Sequence, residues 1–186
     1  RTAAAFLALT LPAVAWAASA LPTRQVTPRG PLDADEAAAV NLFKGATGSV
    51  VYITNIALAR DAYWLNETEY PQWAGSGFLW DEDGHVVTNF HVISNADVAE
   101  VTLSDHSTWK ARFVGAAPDK DIAVLRIDAP KGKLKPIPLG TSKDLQVGQR
   151  VYAIGNPFGL DHTLTTGIIS ALGREIQSIT RRPISG

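Results

Sequence analysis

One histidine and one aspartate in this sequence stand where a general base and the acid that orients it would be needed. His91 follows a short apolar strand, and Asp121, thirty residues later, precedes the apolar run 122–125. A His and then an Asp, each at a strand end, is one of the three known chain orders of the Ser-His-Asp constellation. We therefore predict that His91 is a base and that Asp121 holds it in one tautomer.

A predicted β-hairpin delivers His91. Its two short strands flank Asp81-Glu82-Asp83-Gly84, whose final Asp-Gly supplies the positive φ that a tight turn requires. Further β-branched and aromatic runs raise the number of strands before Pro130 to six, which is enough to close one small barrel. The six predicted strands cover residues 50–54, 78–80, 86–88, 100–103, 108–115 and 122–127.

Four strings of residues carry a resemblance to a known family. They are Thr88-Asn89-Phe90-His91-Val92, Lys-Asp-Ile-Ala-Val-Leu at 120–125, Ala-Ile-Gly-Asn-Pro-Phe-Gly at 153–159, and Asp-His-Thr-Leu-Thr-Thr-Gly at 161–167. The first three together resemble the HtrA/Deg family of trypsin-like serine proteases. The fourth is most similar to the chloroplast members of the thylakoid lumen. The resemblance runs from about Leu32 to Gly186, with the motifs in order.

The resemblance implies an all-β fold, a trypsin-like double β-barrel with a short N-terminal helix. We expect the first barrel to be complete and the second to be truncated, because a second barrel with about two of its six strands would leave unpaired edges. The family's nucleophile lies in a Gly-Asn-Ser-Gly-Gly string, which does not occur in these 186 residues. The sequence is therefore interpreted as a fragment, inactive by itself. Residue 1 is Arg and methionine is absent, so we interpret the N-terminus as clipped too.

Four segments divide the chain. Residues 1–20 are apolar and rich in alanine, and end in small residues that fit a signal-peptidase site. Their apolar stretch, Ala3 to Ala18, is shorter than the ~20 residues of a membrane span. They predict a signal or lumen-targeting segment, with a buried or membrane-anchoring helix as the alternative. Residues 21–31, with three prolines, predict a linker. We expect the helix and the first barrel over 32–130, and a crossover with the start of the second barrel over 131–186.

Local signals within these segments predict further detail. Asp33 and Glu36 have the spacing of a capping box, and Gly45 can end the helix in the left-handed conformation. The interval 57–74 is predicted to be a long irregular loop, either regulatory or a passive insertion. The two-residue periodicity over 109–115 predicts a strand with one face exposed to solvent. In the segment 131–186 we expect strands at 151–154 and 165–172, with a turn at 155–159.

Other histidines and serines fit a catalytic role less well. His85 and His106 are predicted to face solvent, and His162 to be structural, although it lies near the expected cleft. Ser76 precedes His91, which is the wrong chain order for this family, and its flanking glycines are expected to let the strand turn or pass close to a neighbour. Ser185 leaves no room for an oxyanion hole in the surrounding loop.

Composition and spacing exclude several other kinds of site. The chain has no cysteine, so it has no disulfide or thiolate metal site, and its formal charge of −1 does not favour nucleic acid or an anionic membrane. Aligning Gly84 with the central glycine of a calcium loop places Leu79 and Phe90 at ligand positions that need oxygen. The spacing of His85 and His91 matches no zinc site, and 155–159 lacks the ending of a phosphate loop. No cofactor is implied.

The resemblance implies a function for the full-length protein. It would be an ATP-independent serine endopeptidase of protein quality control, a homo-oligomer (a trimer or a multiple of it) that degrades unfolded or damaged proteins. The thylakoid lumen is the expected location, with a bacterial periplasm as the alternative, and no stable membrane span after signal cleavage. A second hypothesis is a non-catalytic relative that binds unfolded chains or assembles with active subunits.

Overall fold

A computed structural model describes residues 24–60, 67–94, 96–159, 161–178 and 181–184, with only the backbone at 57–60 and 67–72. The chain divides into two compact units, Arg1–Leu32 and Asp33–Gly186. In the first unit, residues 24–32 are exposed and form neither helix nor strand. The predicted targeting segment 1–20 and Ser185 lie outside the described residues. No helix in the described ranges is long and apolar enough to cross a bilayer.

The second unit begins with helix α1, Ala34–Ala46, and the predicted capping box is confirmed. The Asp33 carboxylate accepts a hydrogen bond from the Glu36 amide at 2.7 Å, and the Glu36 carboxylate accepts one from the Asp33 amide at 3.2 Å. The prediction for Gly45 was wrong, because the helix continues past it. A 3-10 turn at Thr47–Ser49 follows, and Thr47 keeps right-handed angles (φ −58°, ψ −33°), so no left-handed residue is needed.

Six antiparallel strands then close into a barrel in the order β1-β2-β3-β6-β5-β4, which confirms the predicted first barrel. The strands are β1 (Val50–Arg60), β2 (Glu67–Leu79), β3 (His85–Thr88), β4 (Val98–Thr102), β5 (Thr108–Ala117) and β6 (Ile122–Ile127). Alternate residues of β3 and β4 are buried, as expected for strands with one face toward the core. The barrel is filled by apolar side chains at most 2% exposed: Val51, Ile53, Leu79, Val86, Val101, Leu125 and Ile127.

The interval 57–74 was wrongly predicted to be irregular. The backbones of β1 and β2 continue to pair beyond the barrel, as far as Arg60 opposite Glu67, after a shift of register between Asn55 and Ile56. Two paired strands satisfy each other's amides and carbonyls without covering a core. The sequence therefore carries no buried-face alternation there, and only 61–66 lie outside the described residues.

The predicted alternation between a solvent-exposed and a more buried face of β5 holds only up to Arg112. Phe113 and Val114 are both exposed, at 60% and 53%. The register between β5 and β6 shifts between Phe113 and Gly115, which is a β-bulge. The extra residue breaks the two-residue alternation, so both neighbouring side chains leave the core.

Two short two-stranded sheets follow the barrel. In the first, β7 (Arg150–Gly155) pairs with β8 (Thr163–Ile168); in the second, β9 (Ile176–Gln177) pairs with β10 (Pro183–Ile184). The predicted strand 165–172 is wrong in its end, since β8 stops at Ile168 where its partner β7 begins. The turn predicted at 155–159 is confirmed. Within the described residues these sheets form no second closed barrel.

Candidate active site

His91 lies on a single helical turn, α2 (Phe90–Ile93), which follows β3. The β2–β3 hairpin before it closes through Gly84, whose φ of +88° confirms the predicted Asp-Gly turn. A Cβ atom at Gly84 would collide with the carbonyl oxygen of Ile127, so only glycine fits there. Asn89, between β3 and α2, is extended and turns the chain out of the sheet.

Asp121 precedes β6 and meets His91 with both oxygens of its carboxylate. Its Oδ2 lies 2.7 Å from Nδ1 of the His91 ring, and its Oδ1 accepts a hydrogen bond from the His91 amide at 2.9 Å. A carboxylate can only accept, so Nδ1 carries a proton, and in the neutral ring the lone pair is on Nε2. The arrangement therefore holds His91 in the tautomer that a general base requires.

Asn89 and the α2 backbone hold Asp121 in turn. Asp121 has left-handed angles (φ 52°, ψ 41°), which is uncommon for a residue with a side chain. Its carbonyl accepts hydrogen bonds from Asn89 Nδ2 and from the Phe90 amide, both at 3.1 Å, and Asn89 Nδ2 also lies 3.3 Å from Oδ2. Sequence reasoning did not assign Asn89 a role; its position two residues before His91 was the only signal.

Exposure and charge at this pair differ between the two partners. The His91 side chain is 51% exposed, whereas that of Asp121 is 18% exposed. Burial by itself would raise the pKa of Asp121. The hydrogen bonds from the amide and ring of His91, the charge of that ring and the bond from Asn89 outweigh burial and hold this pKa below the usual value of 3.8. Asp121 is thus ionised at neutral pH, next to a ring that solvent can reach.

The other histidines have local or structural partners. His85 Nδ1 lies 2.6 Å from Asp81 Oδ2, within the hairpin loop, and its side chain is 32% exposed; the prediction that it faces solvent was thus only partly right. His106 is exposed, as predicted. His162 Nε2 lies 3.0 Å from the carbonyl oxygen of Val50, which is a structural contact of the kind predicted.

Ser76 has a structural partner instead of a base. Its hydroxyl oxygen accepts a hydrogen bond from the Asn156 amide at 2.8 Å. The flanking glycines allow close approach, as predicted: a Cβ at Gly75 would lie 2.6 Å from Val92 Cγ2, and one at Gly77 would lie 2.7 Å from the Val87 carbonyl oxygen. No group of three or more His, Cys, Asp or Glu side chains that could hold a metal occurs among the described residues.

Comparison with known proteins shows what the chain is similar to. Residues 75–184 match the family model for the trypsin-like peptidase domain. The chain is 62% identical over 154 residues to Protease Do-like 1, chloroplastic, of Arabidopsis thaliana, a match that covers 82% of this chain and 35% of that protein. It is 45% identical over 193 residues to Protease Do-like 8, chloroplastic, of the same plant, covering 97% of this chain and 43% of that protein.

A bacterial protein and a solved structure are also similar. The probable periplasmic serine endoprotease DegP-like of Brucella suis is 49% identical over 108 residues, covering 58% of this chain and 21% of that protein. The crystal structure of Deg5 superposes with a TM-score of 0.68 at 39% identity, covering 84% of this chain and 73% of that one. The chain spans half or less of the length of these curated relatives.

Proposed function

The chain belongs to the trypsin-like peptidases of the HtrA/Deg family, and from this membership we propose that the complete protein is a serine-type endopeptidase. One observation carries the proposal: Nδ1 of the His91 ring lies 2.7 Å from one carboxylate oxygen of Asp121, and the other oxygen accepts a hydrogen bond from the His91 amide. The His91 side chain is 51% exposed, which supports the access to a nucleophile and a substrate that the proposal requires.

In the proposed reaction, His91 acts as base and then as acid. Nε2 takes the proton from a serine hydroxyl as that oxygen attacks the scissile carbonyl, and later returns the proton to the leaving amine. Asp121 stabilises the imidazolium that forms in between. The serine we propose is that of a Gly-Asn-Ser-Gly-Gly string, which residues 1–186 do not contain. Because loss of the nucleophile costs roughly a million-fold in turnover, these residues by themselves are expected to be inactive.

The substrates and location proposed are those of a protein quality-control protease. We propose unfolded or damaged proteins as substrates, in the thylakoid lumen, because two of the relatives compared above are chloroplastic. The periplasmic relative supports the alternative location. A tagged protein imported into isolated chloroplasts should be found in the lumen fraction; recovery in the stroma would contradict the first location. We also propose that the complete protein is a homo-oligomer. Sedimentation of the complete protein as a monomer would contradict this proposal.

Replacement of one histidine tests the activity. We expect His91→Ala in the complete protein to abolish cleavage of casein, because among the described residues His91, paired with Asp121, is the group that we propose takes the serine proton. The matched control is His85→Ala, which breaks a His–Asp pair of similar length away from the site and should leave turnover unchanged.

Two results would contradict the proposal. Retained turnover by the His91→Ala protein would remove His91 from the reaction. A complete protein that binds unfolded casein but does not cleave it would instead support the non-catalytic relative.

A further inference from the structure

The turn that carries His91 is too short to satisfy its own hydrogen-bonding groups. An α-helix leaves its first four amides and last four carbonyls without partners, and α2 has only four residues. At the N-terminal end, Asp121 supplies the acceptors: its carbonyl accepts from the Phe90 amide at 3.1 Å, and its Oδ1 accepts from the His91 amide at 2.9 Å. This end of the turn is therefore held by the proposed site itself.

The C-terminal end of the turn takes its donors from two sources. The carbonyl oxygens of Phe90, His91 and Ile93 are satisfied locally, by groups of Ser94 and Ala96. The carbonyls of Val92 and Ser94 instead accept hydrogen bonds from a residue far away in sequence.

That residue is Asn55, on β1. Its Nδ2 lies 3.3 Å from the Val92 carbonyl oxygen and 3.1 Å from the Ser94 carbonyl oxygen, so each of its two hydrogens has an acceptor. Asn55 is completely buried and stands at the shift of register in β1. The side chain thus reaches from the barrel wall to the end of the turn opposite Asp121.

The chemistry of the amide explains why asparagine suits this position. Its Oδ1 is buried and has no hydrogen-bond partner among the described residues. A flipped amide would set Oδ1 against two carbonyl oxygens, so the donor group must face α2. Burying an unsatisfied oxygen costs free energy, and an apolar residue of the same volume would avoid that cost. Such a residue would, however, leave two carbonyls of the His91 turn without donors.

We propose that Asn55 is a positioning residue for the reaction, which fixes the C-terminal end of α2 so that the His91 ring stays aligned with Asp121. The inference rests on the proposed function, because alignment of His91 matters to turnover only if His91 is the base. Asp121 and Asn55 hold opposite ends of one turn, and His91 lies between them. Loss of either end lets the ring shift relative to the nucleophile.

Two substitutions of Asn55 remove different numbers of hydrogen-bond donors. Asn55→Leu keeps the approximate shape and removes both donors. Asn55→Asp keeps the shape and, as a neutral acid, one donor; burial against carbonyl oxygens favours that neutral form. The matched control is Asn156→Leu, which removes another buried asparagine, 6% exposed, from the turn between β7 and β8.

The first readout needs no substrate. In the complete protein, the proton between His91 Nδ1 and Asp121 should give a strongly deshielded NMR resonance, because the bond is short and charge-assisted. The corresponding proton between His85 and Asp81 is an internal reference without contact to Asn55. We expect Asn55→Leu to shift or broaden the His91 resonance and to leave the His85 resonance in place. Asn156→Leu should move neither.

The second readout is the split between kcat and KM for a peptide substrate. Small displacements of a base cost up to about a hundredfold in rate. We expect Asn55→Leu to lower kcat roughly tenfold to a hundredfold with KM unchanged. Asn55→Asp should lie between this variant and the parent at low pH, and should lose kcat further as its carboxyl group ionises with rising pH. Asn156→Leu should keep the kcat of the parent.

Each outcome decides the inference. An unchanged His91 resonance and an unchanged kcat in Asn55→Leu would overturn it, as would equal effects in Asn156→Leu. If Asn55→Leu does not fold, Asn55→Asp decides, and a kcat equal to that of the parent at every pH would overturn the proposal. If the complete protein has no peptidase activity, the proposed function fails, while the resonance still shows whether Asn55 aligns His91.

Discussion

At the scale of single residues, the two oxygens of the Asp121 carboxylate accept from two different donors. One accepts from the His91 ring and the other from the His91 amide, at 2.7 and 2.9 Å. Both facing groups are donors in the base-competent tautomer. An amide in place of the carboxylate would turn its NH₂ group toward one of them. The tautomer of His91 therefore depends on residue 121 being a carboxylate, which only accepts hydrogen bonds.

We predict that Asp121→Asn lowers kcat by about 10⁴-fold. The Asn NH₂ group would donate to Nδ1, so that the ring proton would lie on Nε2 and Nε2 could no longer accept the proton of the serine. The fold should survive, since the shape of the side chain is kept. Steady-state kinetics on a peptide substrate and the melting temperature measure the two effects separately.

A surface carboxylate provides the control for this substitution. Asp128 pairs with Arg112 at 2.9 Å, and both side chains are 65% exposed. Asp128→Asn should leave kcat unchanged, since exposed ion pairs contribute little. A loss in Asp121→Asn of less than tenfold would contradict the assigned role.

At the scale of elements, α2 is also positioned by its packing on β2. Val92 is 5% exposed and lies where a side chain of Gly75 would be, with Cγ2 only 2.6 Å from an ideal Cβ. Strand β2 therefore needs a glycine for the His91 turn to lie against it. The glycine beside Ser76 has a steric role in placing His91, the proposed base.

We predict that Gly75→Ala destabilises the protein by about 1–3 kcal/mol and lowers kcat, because Val92 and with it α2 must move. Chemical denaturation and kinetics measure both effects. The double variant Gly75→Ala/Val92→Ala should recover part of the loss, since the smaller side chain makes room for the new methyl group.

Another glycine in the barrel supplies the matched control. Gly115, on β5, has nothing within 4 Å of an ideal Cβ. Gly115→Ala should leave stability unchanged or raise it by about 0.5 kcal/mol, because alanine loses less backbone entropy. Equal losses in Gly75→Ala and Gly115→Ala would show that the contact with Val92 is not the cause.

At the scale of the whole unit Asp33–Gly186, three contacts join the turn between β7 and β8 to the barrel. Ser76 Oγ accepts from the Asn156 amide at 2.8 Å, and His162 Nε2 lies 3.0 Å from the Val50 carbonyl oxygen. An ideal Cβ at Gly159 would come within 2.8 Å of the Tyr52 ring. The sheet of β7 and β8 is mostly exposed, and these contacts join it to the barrel.

We predict that Ser76→Ala loosens β7 and β8 without unfolding the barrel, at a cost of about 1–3 kcal/mol for the unsatisfied amide of Asn156. Hydrogen exchange should become faster at the amides of β7 and β8 and stay unchanged in β3 and β6. Equally faster exchange in both regions would contradict the prediction that Ser76 stabilises only the attachment of β7 and β8 to the barrel. Ser104→Ala, an exposed serine in the turn before β5, is the control and should change neither region.

The sequence by itself determined features whose partners lie within a few residues of each other. The capping box of Asp33 and Glu36 and the positive φ of Gly84 follow from local hydrogen bonds and local sterics. The six-strand count follows from runs of apolar and β-branched residues that each strand must bury. That His91 and Asp121 meet could be predicted because each lies at a strand end and the family motifs supported the same pair; their catalytic roles stay a prediction.

Only the tertiary structure decided the features that depend on which strands become neighbours. The extension of β1 and β2 to Arg60 and Glu67 comes from pairing beyond the barrel, which needs no alternation in the sequence. The bulge at Phe113 depends on the register with β6. Asn55 and Ser94 are 39 residues apart and meet only when β1 closes the barrel against α2. Closure brings such distant groups together, and no local spacing records it.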